Sequence, residues 1–123
     1  MNDELLSKEP APEQVMAMVK QVVSIIGDKW TLLIIRTLAF EKSPNRFNQL
    51  MQNLKPISSR TLAAKLTNLI EQGIIEKTIV HSSPPSSRYS LTMKGQDLVT
   101  AFKCVIDWNL KWQQNEILPS KEF

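Results

Sequence analysis

The spacing of apolar residues changes character once along this chain, at Gly73, and that change limits the folds open to it. Before it, "SSRTLAAKLTNLIEQG" (58–73) sets Leu62, Leu66, Leu69 and Ile70 at i, i+4, i+7 and i+8, one narrow stripe of a helix. Ser58 is placed to cap that helix and Gly73 to end it. After it, "IIEKTIVHS" is rich in β-branched residues and alternates at Ile75, Lys77, Ile79 and His81, as a strand does. "SSPPSS" supplies a turn, and "RYSLT" a returning strand with Tyr89 and Leu91 facing one way. A helix therefore leads directly into a β-hairpin.

The remaining segments fit around that junction. Glu13 to Ile26 carries Val15, Met18, Val19, Val22 and Ile26 at helical spacing and stops at Gly27. Asp28 can cap "KWTLLIIRTLAF", which is apolar nearly all round and so belongs at the centre of the fold. "EKSPN" reads as a turn, with Asn45 capping a short third helix whose stripe is Phe47, Leu50, Met51 and Leu54. Pro56 separates that helix from the one beginning at Ser58, and Thr92 caps a last helix from about Met93 to Ile117. Two helices across a short turn, followed by a hairpin, make a winged helix-turn-helix: mainly α, with a small β-hairpin wing. The expected organisation is a flexible tail over 1–12, one domain over 13–117 and a short tail over 118–123. Within the domain the helix-turn-helix takes about 46–73, the wing 74–92 and a dimerising terminal helix 93–117.

Several function classes find no support. A single cysteine, Cys104, excludes an intrachain disulfide and a cysteine zinc site, and a single histidine, His81, excludes a histidine metal cluster. No glycine-rich nucleotide cradle occurs, and no nucleophile–base pair presents itself, so neither an enzyme nor a cofactor is expected. "MNDELLSKEPAP" reads as a frayed tail and not a signal peptide, and "WTLLII" is too short to cross a bilayer, which points to the cytoplasm.

Charge is more informative. The net +3 conceals −1 over residues 1–45, +5 over 46–95 and −1 over 96–123. A basic centre between near-neutral flanks suits a polyanion. On the 58–72 helix the face opposite the leucines bears Arg60, Thr61, Ala64, Thr67 and Asn68, with no acidic residue before Glu71. That face is either a solvated helix surface or one that reads base edges. In the second case Ser58, Ser59, Arg60 and Thr61 form the leading end, with Ala64, Lys65 and Asn68 one and two turns on. Arg60 can bond guanine in bidentate fashion, Ala64 can meet a thymine methyl and Asn68 can pair with adenine. Arg46 and Asn48, at the start of the preceding helix, can hold a phosphate, although a surface salt bridge is the plainer role for Arg46. Lys77, His81 and Arg88 flank the wing. Arg88 suits a narrow minor groove or simply solvent, and His81 reads as a polar wing-edge residue and not a sensor.

The last helix spaces Leu98, Ala101, Val105, Trp108 and Trp112 by 3, 4, 3 and 4, a heptad-like seam. Two tryptophans on one seam need a covering surface: either the chain's own domain or a second copy, joined through Val15, Met18, Val19 and Val22 of the first helix. Cys104 lies off that seam and reads as a buried structural thiol.

Three of these stretches, "IIGDKWTLLIIRTL", "RFNQLMQNLKPISSRTLAAKLTNLIEQGIIEK" and "SSPPSSRYSLTMKG", together resemble the HxlR-type winged-helix regulators, prokaryotic relatives of the MarR group. The resemblance implies a homodimeric, sequence-specific transcription regulator. It further implies the 58–72 helix in the major groove, the hairpin near the minor groove and terminal helices that pair the subunits. Many members carry a sensing cysteine about eleven residues before the glycine matching Gly27; this chain has Met16 there, so the resemblance carries no thiol switch to that position. The expected partners are double-stranded DNA with a pseudo-palindromic operator and a second copy of the chain. A small-molecule effector could lie between the dimerising helices and the wing, though no residue identifies one. The alternative is a winged-helix adaptor that binds protein and no DNA, which would have no need of the central +5.

Overall fold

Each stretch of helical spacing becomes a helix, and the alternating stretch becomes a hairpin. The computed structural model describes residues 9–40 and 45–115. In chain order these form α1 (Pro12–Ile26), α2 (Lys29–Phe40), β1 (Asn45–Arg46), α3 (Phe47–Asn53), α4 (Ser59–Glu71), β2 (Ile75–Val80), β3 (Ser86–Leu91) and α5 (Met93–Asn115). The tail residues 1–8 and 118–123, most of the expected 41–45 turn and the expected last two residues of the final helix lie outside the described residues.

Helix α2 is central, as its all-round apolar sequence requires. Its Ile34, Ile35 and Leu38 are buried together with Leu50 of α3, Leu62, Leu66 and Leu69 of α4, and Ile75 and Tyr89 of the sheet. The leucine stripe of α4 is sealed completely, each member being 2% exposed or less. Helix α1 is the opposite case: it has no buried residue.

The α4–β2 junction follows from its glycine. Gly73 adopts φ 74°, a left-handed conformation that glycine enters without steric cost. There its N–H donates to the Ile70 carbonyl at 3.0 Å, and the Ile74 N–H donates to the Leu69 carbonyl at 3.0 Å. This pair of bonds is the Schellman closure of a helix, and it turns the chain into the first strand of the wing.

The sheet has three strands in the order β1-β3-β2, all antiparallel. The hairpin was expected from the alternation; β1 was not. Two residues cannot display a period of two, so nothing in Asn45–Arg46 announces a strand. This also corrects the cap of the third helix. Asn45 does not cap α3; it lies buried in β1 opposite Tyr89, and Arg46 is the N-cap residue, its N–H donating to Gln49 Oε1 at 2.8 Å.

Thr92 does cap the last helix, its hydroxyl accepting from the Gly95 N–H at 3.1 Å. The same residue fixes α5 to the end of α4: its N–H donates to the Ile74 carbonyl, and its hydroxyl lies against the Gly73 and Ile74 carbonyls. Lys94 Nζ adds a bond to the Gln72 carbonyl at 2.7 Å. Gly95 makes the approach possible, since a Cβ there would lie 2.3 Å from the Ile74 carbonyl oxygen. The orientation of α5 relative to α4 is thus set by bonds from Thr92 and Lys94 to backbone carbonyls at one corner.

Candidate nucleic-acid interface

Helix α4 begins with the expected cap. Ser58 Oγ accepts from the Thr61 N–H at 3.1 Å and donates to Thr61 Oγ1 at 2.9 Å, so the Thr61 hydroxyl is engaged at the helix start. Ser59, Arg60, Ala64, Thr67 and Asn68 are exposed along the face turned away from the core. Thr67 returns its hydroxyl to the Ala63 carbonyl, and Asn68 Oδ1 accepts from Gln72 Nε2 at 3.1 Å. Arg60 makes no hydrogen bond or ion pair with any described residue and projects freely.

Lys65 stands apart from its neighbours. Its ammonium lies 2.6 Å from Asp28 Oδ2 at the start of α2. Asp28 also accepts from the Trp30 N–H and from Thr31 Oγ1, and so acts as the α2 cap expected of it. The Lys65 ammonium and these donors hold the Asp28 carboxyl below its ordinary range, against a smaller opposing effect of burial. Lys65 therefore ties α4 to α2, a role the sequence did not show because the two residues are 37 positions apart.

Arg46 is exposed at the α3 N-cap, and Asn48 is exposed in its first turn. Lys77 is exposed on β2 opposite Tyr89, and His81 is exposed just beyond that strand. Arg88 is half-buried in the middle of β3, directly opposite Arg46 on one side and Thr78 on the other. It is thus midway along the hairpin and not at its tip, where Ser82 Oγ donates to the Pro84 carbonyl. Burial raises the Tyr89 phenol above its ordinary range.

The seam residues divide. Val15, Met18, Val19 and Val22 of α1 and Ala101, Val105, Trp108 and Trp112 of α5 are exposed, Trp108 to 62%. Leu98 instead packs against the chain's own core beside Val99. Met16, Val23 and Leu110 are exposed apolar residues that sequence spacing had not singled out; Met16 and Val23 flank the α1 stripe, and Leu110 is on the side of α5 opposite the tryptophans. Cys104 corrects an expectation. It is exposed, because no described element covers that side of α5. An apolar groove of about 270 Å³ opens between the end of α1 and the start of α5, lined by Val22, Ile25, Ile26, Ile74 and Leu98, with Lys94 and Asp97.

Among the described residues no group of His, Cys, Asp and Glu could hold a metal ion, and no helix is long and apolar enough to cross a membrane. The sequence profile described as HxlR-like helix-turn-helix matches residues 25–117. An uncharacterized HTH-type transcriptional regulator of Halalkalibacterium halodurans is 34% identical over 93 residues, covering 76% of this chain and 81% of the relative. A second such regulator, from Mycobacterium bovis, is 35% identical over 104 residues, which are 85% of this chain and 61% of the relative; the chain thus spans about three-fifths of that longer protein. The fold is similar to the crystal structure of a MarR-family transcriptional regulator from Enterococcus faecalis V583, with a TM-score of 0.74, 25% identity, and coverage of 81% of this chain and 89% of the other.

Proposed function

The chain belongs to the HxlR-like helix-turn-helix family of transcriptional regulators, and from that premise we propose that it acts as a homodimer on a pseudo-palindromic DNA operator. One observation carries the reading. Helix α4 buries all three leucines of one face while its opposite face stands exposed, free of acid until Glu71, with Arg60, bonded to no described residue, at its leading end. Ser59, Arg60, Ala64 and Asn68 are the residues we assign to base edges in the major groove, and Lys77, with the tip of the wing, to the adjacent backbone. Ser58 and Thr61 hold the helix start in shape, and Asn48 adds a backbone contact.

The apolar faces of α1 and α5 supply the subunit interface, through Val15, Met18, Val19 and Val22 on one helix and Ala101, Val105, Trp108 and Trp112 on the other. Two-fold symmetry then sets the two α4 helices about one DNA turn apart, ~34–36 Å. The winged domain spans 13–117 and works in the cytoplasm, where its DNA lies. The groove between α1 and α5 borders both the interface and the α4 corner, and is where an effector would act.

Selection of bound fragments from a genomic library by the full chain tests this reading. The expected result is a small set of fragments sharing an inverted repeat. Retention of no duplex at low salt would favour an adaptor instead.

A further inference from the structure

The three-stranded sheet places two arginines side by side. Arg46 of β1 and Arg88 of β3 are direct partners in the antiparallel register, so their side chains leave the same face of the sheet from Cβ atoms about 4.5–5.5 Å apart. Like charges in that relation destabilise a sheet. Neither guanidinium makes a hydrogen bond or ion pair with a described residue, and Arg88 Nε is buried without a partner. Glu76 is on the same face of β2, opposite Ser90, but is exposed and makes no ion pair with Arg88. Thr78 completes the row across the sheet, adding a hydroxyl. Two guanidinium forks and a hydroxyl on one face of the sheet, neutralised by no described residue, form a receptor for a tetrahedral dianion or a phosphodiester.

We propose that Arg46 and Arg88 close together on one backbone phosphate of the bound DNA, where β1 joins the wing. Arg88 is then a backbone clamp and not a minor-groove probe. The inference rests on the DNA-binding reading above and adds to it the group recognised. It also makes the pair a place where fold stability is given up for binding: the repulsion that strains the free sheet is relieved when the phosphate arrives.

The test compares Arg46→Ala, Arg88→Ala, the double variant, Arg88→Gln and Arg88→Glu in the full chain, by thermal melting and by titration with a short random-sequence duplex over a range of salt. Arg88→Glu places opposite charges across the strand pair. It is expected to melt higher than the natural chain and yet bind duplex roughly tenfold or more weakly. Its log–log salt dependence should be shallower by about 0.9 for each phosphate released. The two alanine changes should be strongly non-additive, the double variant losing little more than either single one. Additive losses would mean two separate phosphates and overturn the shared clamp, as would duplex binding and salt slope unchanged in every variant. Arg88→Gln, which removes the charge without creating a pair, keeps the outcome readable should Arg88→Glu fold poorly. If inorganic phosphate raises the melting temperature of the natural chain and not of Arg88→Gln, while duplex affinities stay equal, the pair serves a free anion and the DNA assignment fails. Failure of the natural chain to bind any duplex would instead sink the DNA-binding reading itself.

Discussion

Helices α4 and α1 are built to the same amphipathic pattern and meet opposite fates. The leucines of α4 are 2% exposed or less, whereas the valines and methionines of α1 remain between 42% and 55% exposed. Composition does not separate them, since both carry an apolar stripe at helical spacing. What differs is the opposing surface. Helix α4 lays its stripe on α2, the one helix apolar on nearly every side; α1 also touches α2, and its Ile25 reaches the core, but its stripe of valines and methionines and the outer length of α5 are covered by no described residue. A stripe is a demand for a surface, and only the three-dimensional arrangement says whether the chain meets it alone. Here the interior demand is met in one copy, and the terminal helices leave theirs exposed, the surface our proposal gives to a second copy.

The first way to break that contrast is to truncate each stripe. Leu62→Ala removes a fully buried side chain from the α4 stripe and should cost ~2–5 kcal/mol in chemical denaturation, whatever the protein concentration. Trp108→Ala touches a residue 62% exposed in the single chain and should cost little within one copy. Its effect should appear in association, with the dissociation constant measured by sedimentation rising by a factor corresponding to ~2 kcal/mol or more, as for a buried aromatic anchor. A Trp108→Ala chain that sediments as the natural one does would show that this face is covered by something other than a copy.

How much of this could be read from the residues follows the same division. The α4 stripe, its Ser58 cap and its Gly73 stop are short-range patterns, and each appeared where the spacing put it. Strand β1 did not, because its two residues are defined only by their partner, Tyr89 and Arg88 being more than 40 positions away. Asn45 was mistaken for a cap for the same reason: a polar residue before a helical stripe is ordinarily one, and only the strand pairing shows it buried. Lys65 looked like one more cation on an exposed face until Asp28 was found beside it. Cys104 is expected inside because a cysteine in an amphipathic helix usually is, yet no described element covers its side of α5. Local rules served where local bonds decide; partners distant in sequence were invisible to them.

The exposed face of α4 gives the next measurement. Arg60→Ala should leave the melting temperature unchanged, since Arg60 bonds no described residue. It should weaken operator binding by ~1–3 kcal/mol and relax selectivity at one base position. An equal loss on operator and random duplex would restrict Arg60 to phosphate.

The smallest effect sharpens the contrast most, because it concerns a residue between the two faces. Lys65 is on α4 among the residues we assign to DNA but is bound to Asp28. Lys65→Met should therefore lower stability by ~0.2–1 kcal/mol, the range for a half-exposed pair, and leave duplex affinity nearly as it was. The acid limb of stability distinguishes the pair from mere proximity. The folded-state pKa of Asp28 is lowered from an ordinary 3.8, so its contribution is complete above that value and is lost as the pH falls through the lower, folded-state one. Asp28→Asn should remove this part of the acid dependence, and high salt should shrink it in the natural chain. If Lys65→Met instead kept its stability and shed duplex affinity, the lysine would belong to the DNA-facing surface, and α4 would present one more cation to the backbone than its bond to Asp28 allows.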